Sequence, residues 1–249
     1  MPFSYDRAWQ DVMAMFRSDW ALLVTLAGVF IFFPALVLFL YAPMPEAKPE
    51  SSAETSLQLV YAYYQANMLW FVLVNAIGAF GQAVILALLL DRTRPTVGEA
   101  LAGAGVLFPG FFVVQLITNF ATGAGLMLLV IPGLYLLGRF EVVGPLLIER
   151  RMANPLRAIA DGWRMTEKRG WRITGLVLLV VIVGWIVTSA ATSALTVLGT
   201  MVVPESVRPL VGGFTGGLSS AALSLLMAVL SAAVYRQLTA GNRIVEVFD

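Results

Sequence analysis

Residues 106–148 read VLFPGFFVVQLITNFATGAGLMLLVIPGLYLLGRFEVVGPLLI. Val106 to Val130 contains no charge, and the apolar run continues to Ile148 with only Arg139 and Glu141 inside it. A helix needs about 20 apolar residues to cross about 30 Å of hydrocarbon. The run is too long for one crossing, so it must fold back on itself. The glycines of Thr122-Gly123-Ala124-Gly125 place the turn there, with spans near 104–122 and 126–148. Pro132-Gly133 then breaks the fourth span, with a second kink at Gly144-Pro145. The competing reading puts the turn at Pro132-Gly133 and shortens the fourth span.

Four more runs of this kind lie outside that stretch: 20–41, 68–90, 173–203 and 210–235. The expected fold is an all-α integral membrane domain filling 1–249, with six transmembrane helices. Strands of a membrane barrel would alternate apolar and polar residues, and these runs do not. Composition points the same way. The 249 residues are 59% hydrophobic and 12% charged, with a mean hydropathy of +0.84. A soluble domain has about 25% charged residues. The chain has no cysteine and no histidine, which excludes disulfides, thiol chemistry and imidazole catalysis. No cofactor and no metal site is expected. Residues 1–19 carry Asp6, Asp11 and Asp19 and lack a short early apolar core, so the expectation is a retained first span and no cleavable signal.

The basic residues are unevenly placed along the six runs. With the N-terminus inside, the inner segments hold Arg7, Arg17, Arg92, Arg94, Arg150, Arg151, Arg157, Arg164, Lys168, Arg169, Arg172, Arg236 and Arg243, and the outer loops only Lys48 and Arg208. Positive residues favour the cytoplasmic side. The expectation is therefore a bacterial inner-membrane protein with both termini cytoplasmic. Tyr61, Tyr63, Tyr64 and Trp70 would join the outer aromatic belt, and Trp9, Trp20, Trp163 and Trp171 the inner one.

A short amphipathic helix is expected before each odd-numbered span. The first is 5–19, with Ser4 as N-cap and a stripe of Tyr5, Ala8, Trp9, Val12, Met13 and Phe16. The second starts at a capping-box spacing, Thr96 to Glu99. The third is 155–169, opened by Asn154-Pro155, with Leu156, Ile159, Ala160 and Trp163 as its apolar stripe. The first and third match at an offset of 150: Arg7-Ala8 with Arg157-Ala158, Asp11 with Asp161, Met15 with Met165. Helices of this type lie in the headgroup plane with a basic face toward anionic lipid.

An ordered series of short motifs follows Ile131: Ile131-Pro132-Gly133-Leu134-Tyr135, Gly138-Arg139-Phe140, Leu147-Ile148-Glu149, Asn154-Pro155-Leu156-Arg157-Ala158-Ile159 and Gly162-Trp163-Arg164-Met165-Thr166. The series resembles the membrane-domain superfamily of glycerophosphoryl diester phosphodiesterases and its stand-alone bacterial inner-membrane relatives. Gly162 stands where that pattern commonly has Ser, and Met165 where it has Leu. The resemblance covers 131–172. In fused members the hydrolytic work belongs to a separate soluble domain. No stretch here is long enough to supply one, so the resemblance implies no phosphodiesterase activity.

Candidate residues follow from charge and polarity. Arg139, Arg150, Arg151, Arg157, Arg164, Lys168, Arg169 and Arg172 are candidates for contact with lipid headgroups, Arg139 by snorkelling or by interhelical pairing. Arg139 and Glu141 are two apart and cannot simply pair on one helix face. Asn75 and Gln82 form one intramembrane polar stripe, and Gln115 and Asn119 another. Such amides act as interhelical glue or line a pathway. Gly212, Gly213, Gly216 and Gly217 at the start of the sixth span should pack on Ser189, Ala190, Ser193 and Val197 of the fifth. The expected function is that of a non-enzymatic inner-membrane protein that binds anionic lipid or a membrane-protein partner in envelope organisation, without nucleic acid. The alternatives are a small transporter or export accessory, and a lipid-modifying enzyme working through Asp91, Glu141 or Glu149.

Overall fold

The structure, a computed structural model, describes residues 4–42, 52–91, 93, 95–167, 169–204 and 207–248. Lys168, Arg92, Arg94 and the 43–51 stretch with Lys48 lie outside the described residues. The described chain is all-α. Its elements are α1 (Tyr5–Ala27), a π-helical turn (Gly28–Phe32), α2 (Phe33–Tyr41), α3 (Ala53–Ala66), α4 (Met68–Leu90), α5 (Val97–Leu128), α6 (Val130–Phe140), α7 (Val143–Glu149), α8 (Pro155–Thr166), α9 (Gly170–Val202) and α10 (Arg208–Phe248). Six helical stretches among the described residues are long and apolar enough to cross a membrane: 5–41, 68–90, 97–128, 130–149, 170–202 and 210–240.

The first crossing is continuous from Tyr5. It bends at Asp19, whose φ of −132° and ψ of 20° leave the helical region and set the amphipathic leg off from the apolar one. Ser4 precedes the helix in extended conformation, but its hydroxyl makes no cap bond, contrary to expectation. The π-turn stands directly before Pro34, which has no N–H to give. There Phe33 N–H bonds to Gly28 O, and the widened turn carries the chain past the proline.

The turn between the third and fourth crossings is not at residues 122–125. Helix α5 runs through them to Leu128, and the break is one residue, Leu129, at φ −152° and ψ 124°. Gly125 is used for close approach: a Cβ there would meet Gly133 Cα at 3.0 Å, and one on Gly133 would meet Leu126 N at 2.4 Å. The two limbs of the hairpin touch through these glycines. Pro132 and Gly133 do not break a helix. Pro132 sits in the first turn of α6, where an N–H has no intrahelical partner, and Gly133 N–H makes the bond to Leu129 O at 3.2 Å. Pro145 stands likewise in the first turn of α7, so the second break falls at Glu141–Val142 and not at Gly144-Pro145.

The capping box at Thr96 and Glu99 is formed, but the helix it opens runs straight into the third crossing. Among the described residues no separate interfacial helix precedes that span. On the opposite side α3, capped by Ser52, carries the expected belt residues Tyr61, Tyr63 and Tyr64.

Helix α10 is the axis of the bundle and packs on α1, α2, α4, α7 and α9. From Ala228 to Tyr235 it is buried on every side. Leu23, Val84, Ile85, Leu146, Leu147 and Ile173 are buried toward the same end, which also carries α8. Thr192 and Ser219 hydrogen-bond between α9 and α10, as do Thr196 and Thr215 at 3.0 Å. This corrects the expected face. Ser193 and Val197 are exposed, and a Cβ on Gly213 would strike Phe39 of α2. The two helices are rotated so that the threonines meet, while Gly212, Gly213 and Gly217 receive Phe39 and Phe32 of the first crossing.

Candidate functional site

Helix α8 has three faces. Asn154 caps it, its side-chain oxygen accepting from Leu156 N at 3.0 Å and Arg157 N at 3.2 Å, and Pro155 fills the first helical position. Ala158, Gly162 and Thr166, four apart, turn to the bundle and are buried. Gly162 is small because Val143 Cγ2 would lie 2.8 Å from a Cβ there. Leu156, Ala160 and Trp163 form an exposed apolar face. Of the expected apolar stripe, Leu156, Ala160 and Trp163 are exposed and Ile159 is half-buried. Arg157, Asp161 and Arg164 form the third face, with Arg157 and Asp161 paired at 3.9 Å.

Arg139 holds this helix in place. Its side chain is buried, at 4% exposure, and does not snorkel outward. Nε–H donates to Thr166 Oγ1 at 3.0 Å, Nη1 to Tyr135 OH at 3.1 Å, and Nη2 to the Trp163 carbonyl. The guanidinium carbon lies 3.6 Å from the Trp163 ring centroid. Among the described residues no carboxylate joins it. A desolvated arginine is satisfied here by three oxygens and an aromatic face. Its charge lies between α6 and α8, apart from the exposed basic surface. Tyr135 and Thr166 were absent from the sequence-derived set. The spacing of four between Tyr135 and Arg139 was the visible signal for one of them.

The other described basic candidates lie at the same end of the bundle. Arg150, Arg151, Arg157, Arg164 and Arg172 are exposed, and Arg169 is half-buried. Arg151 is the one non-glycine residue at positive φ among the described residues, at 48°. It closes α7 as a Schellman motif, with Met152 N bonded to Leu147 O at 3.0 Å and Arg151 N to Ile148 O at 3.2 Å. Glycine is the favoured residue at such a position. The arginine there extends its side chain, 77% exposed, to 3.6 Å from Asp91. Thr93, through its N–H at 2.9 Å and its hydroxyl at 2.8 Å, is the main cause that holds the Asp91 carboxyl below the usual carboxylate range; Arg151 adds to it.

Beneath this surface a cavity of about 600 Å³ between α4, α5 and α7 is lined by Asp91, Glu99, Glu149 and Arg151. Tyr235 OH donates to Glu149, and Arg236 to the Leu89 carbonyl at the end of α4. These contacts occupy the polar ends of α4, α7 and α10 with one another. Glu141 stands apart, half-buried in the break between α6 and α7, with no hydrogen bond or ion pair among the described residues. Among the described residues no three carboxylates are grouped as a metal-binding set.

The two amide stripes come together partway along the bundle. Gln115 Nε2 donates to Gln82 Oε1 at 2.8 Å, joining α5 to α4, and Asn75 Nδ2 donates to Phe71 O at 2.8 Å. Asn75, Gln82, Gln115 and Asn119 line one cavity of about 670 Å³, together with Ser220 and Ser224 of α10. Helix α3 covers one end of it with Tyr61, Tyr64 and Gln65. By the helical rise of about 1.5 Å per residue, Gln82 lies about 21 Å from the Met68 end of α4, past its middle. The sequence showed each stripe on its own helix; that both face one cavity depends on the rotation of α4 and α5.

Comparison with protein-family models, curated proteins and solved structures finds no match to this chain.

Proposed function

We propose that this multi-pass membrane protein is a non-enzymatic component of the bacterial inner membrane, with both termini cytoplasmic, that holds anionic lipid at its cytoplasmic rim in envelope organisation. The observation that carries this reading is α8: a helix with a bundle face, an exposed apolar face and an exposed arginine face, held by the buried Arg139. An interfacial helix needs those last two faces, one for the acyl boundary and one for headgroup phosphate. Arg150, Arg151 and Arg172 extend the basic surface beside it. An arginine at a position suited to glycine supports a role for that side chain at the surface. Each basic residue near an anionic surface contributes about 1 kcal/mol of attraction. Kinship with the glycerophosphoryl diester phosphodiesterase membrane-domain superfamily rests on the ordered motifs from Ile131 to Thr166 and fits a membrane role without hydrolysis.

Native mass spectrometry from nanodiscs of mixed phosphatidylglycerol and phosphatidylcholine tests the reading. Selective retention of phosphatidylglycerol is expected, and its loss in Arg157→Gln/Arg164→Gln/Arg172→Gln. Equal retention of both lipids, or no change in the variant, overturns it.

A second reading, transport or export, is favoured by one observation: the four amides, from two helices, line one cavity. Proteoliposome flux of small solutes, compared with Gln82→Leu/Gln115→Leu, tests it.

A further inference from the structure

The cavity between α4, α5 and α10 has neutral polar groups only. Among its described lining residues there is no Asp, Glu, Lys or Arg. Its volume of about 670 Å³ falls within the range, about 300–1,000 Å³, of small-ligand pockets, and it is partly open, with Asn75, Asn119 and Ser220 exposed. Among hydroxyls elsewhere in the crossings, Thr118 returns to Val114 O at 2.8 Å, Thr188 to Gly184 O at 2.7 Å and Ser231 to Ala228 O at 2.9 Å, while Thr192 pairs with Ser219 and Thr196 with Thr215. Ser220, Ser224 and Asn119 do neither. They line the cavity and have no hydrogen-bond partner among the described residues. The Gln82–Gln115 bond uses one N–H and one carbonyl, so the Gln115 carbonyl and the Gln82 amino group keep their capacity. Apolar side chains share the same walls, Ile31, Phe112 and Leu116 among them, and Tyr64 and Phe71 pack at 4.8 Å toward α3.

This lining discriminates between ligand types. A charged head would lose its hydration within the membrane and meet no counter-charge. A wholly apolar molecule would leave the amides and hydroxyls without partners. We propose that the cavity binds an uncharged amphiphile, with a hydroxyl- or amide-bearing head on Gln82, Gln115, Ser220 and Ser224 and its chain along Ile31, Phe112 and Leu116. The proposal rests on the cavity of the transport reading and deepens it by naming the ligand class; binding without movement satisfies it.

The protein in phosphatidylcholine nanodiscs is photolabelled with a diazirine monoacylglycerol and, separately, with a diazirine alkyl sulfonate and a diazirine alkyl trimethylammonium of equal chain length. The neutral probe is expected to label peptides from 71–82 and 112–119, and to be displaced by unlabelled monoacylglycerol. Gln82→Leu/Gln115→Leu is expected to lower that labelling about tenfold, the equivalent of about one net hydrogen bond. Ser220→Ala/Ser224→Ala, which opposes nothing in the α4–α5 packing, is expected to lower it too with an unchanged melting temperature. Equal cavity labelling by the charged probes, or labelling indifferent to both double variants, overturns the proposal. Leaflet-to-leaflet flux of the same monoacylglycerol is read separately: labelling without flux removes the transport reading and leaves the binding site standing.

Discussion

Arg139 shows how a charge is carried inside this bundle without an acid. Its guanidinium meets a hydroxyl, a phenol, a carbonyl and the Trp163 ring, and those contacts join α6 to α8. Arg139→Met is expected to lower stability by roughly 2–4 kcal/mol, since it strips charged hydrogen bonds and leaves a buried carbonyl without its donor. Thermal unfolding in detergent reads the loss, and proteolysis in the 150–154 connection should rise as α8 detaches. Arg139→Lys should rescue little, because an ammonium has neither the fork nor the stacking plane. Arg151→Gly separates surface role from fold: relief of the positive φ is worth about 1 kcal/mol, so stability should hold or rise while phosphatidylglycerol retention falls. Asp91 gives a pH test. Its folded carboxyl sits below the usual value of 3.8, so its contribution is present above that value and is lost as pH falls through the lower, folded one. Asp91→Asn should therefore melt slightly lower than the parent near neutral pH, by under about 1 kcal/mol for so exposed a group, with the difference vanishing in strong acid. At this scale the identity of the intramembrane arginine was plain in the sequence. Its partners Thr166 and Trp163 were not, because they lie on another helix, 24 to 27 residues along the chain.

At the scale of elements, small residues decide which helices touch. A Cβ on Gly138 would stand 2.4 Å from Thr174 Cα and 2.7 Å from its nitrogen, against the backbone of α9. Gly138→Ala must push α6 from α9, at about 1–3 kcal/mol as in other overpacked sites. A Cβ on Gly103 would have nothing within 4 Å, so Gly103→Ala on the same assay should be neutral or gain up to about 1 kcal/mol of helix propensity. A reversed order would refute the packing. The crossing 68–90 was legible to the residue, since its charge-free run ends at Asp91. The turn at Leu129 was not. Glycine permits a turn but also permits a close helix crossing, and Gly125 and Gly133 are used for the second. Prolines 132 and 145 misled in the same way: a proline that starts a helix and one that kinks it look alike until the bonding partner of the preceding turn is known.

For the whole molecule, most of the buried core shares one end with the exposed Arg150, Arg151, Arg157, Arg164 and Arg172, and the amide cavity opens toward the other half. The absence of cysteine makes the proposed orientation directly testable. Ala153→Cys, in the exposed α7–α8 connection, should react with an impermeant maleimide only after the cells are opened, and Ala53→Cys, at the start of α3, in intact cells. The opposite pattern would invert the topology and move the basic surface outside.

The sequence by itself determined that the chain is helical, that it holds six membrane-length apolar segments and that its basic residues fall between alternate ones. Those properties follow from hydrocarbon thickness and from the cost of bare backbone in lipid, which act on each segment regardless of its neighbours. Only the tertiary structure decided the single-residue turn, the rotation that sets Thr192 against Ser219, the oxygens around Arg139 and the meeting of two amide stripes at one cavity. Each depends on how a helix is turned about its own axis against residues distant in sequence, and a periodic pattern marks a face without saying what that face will meet.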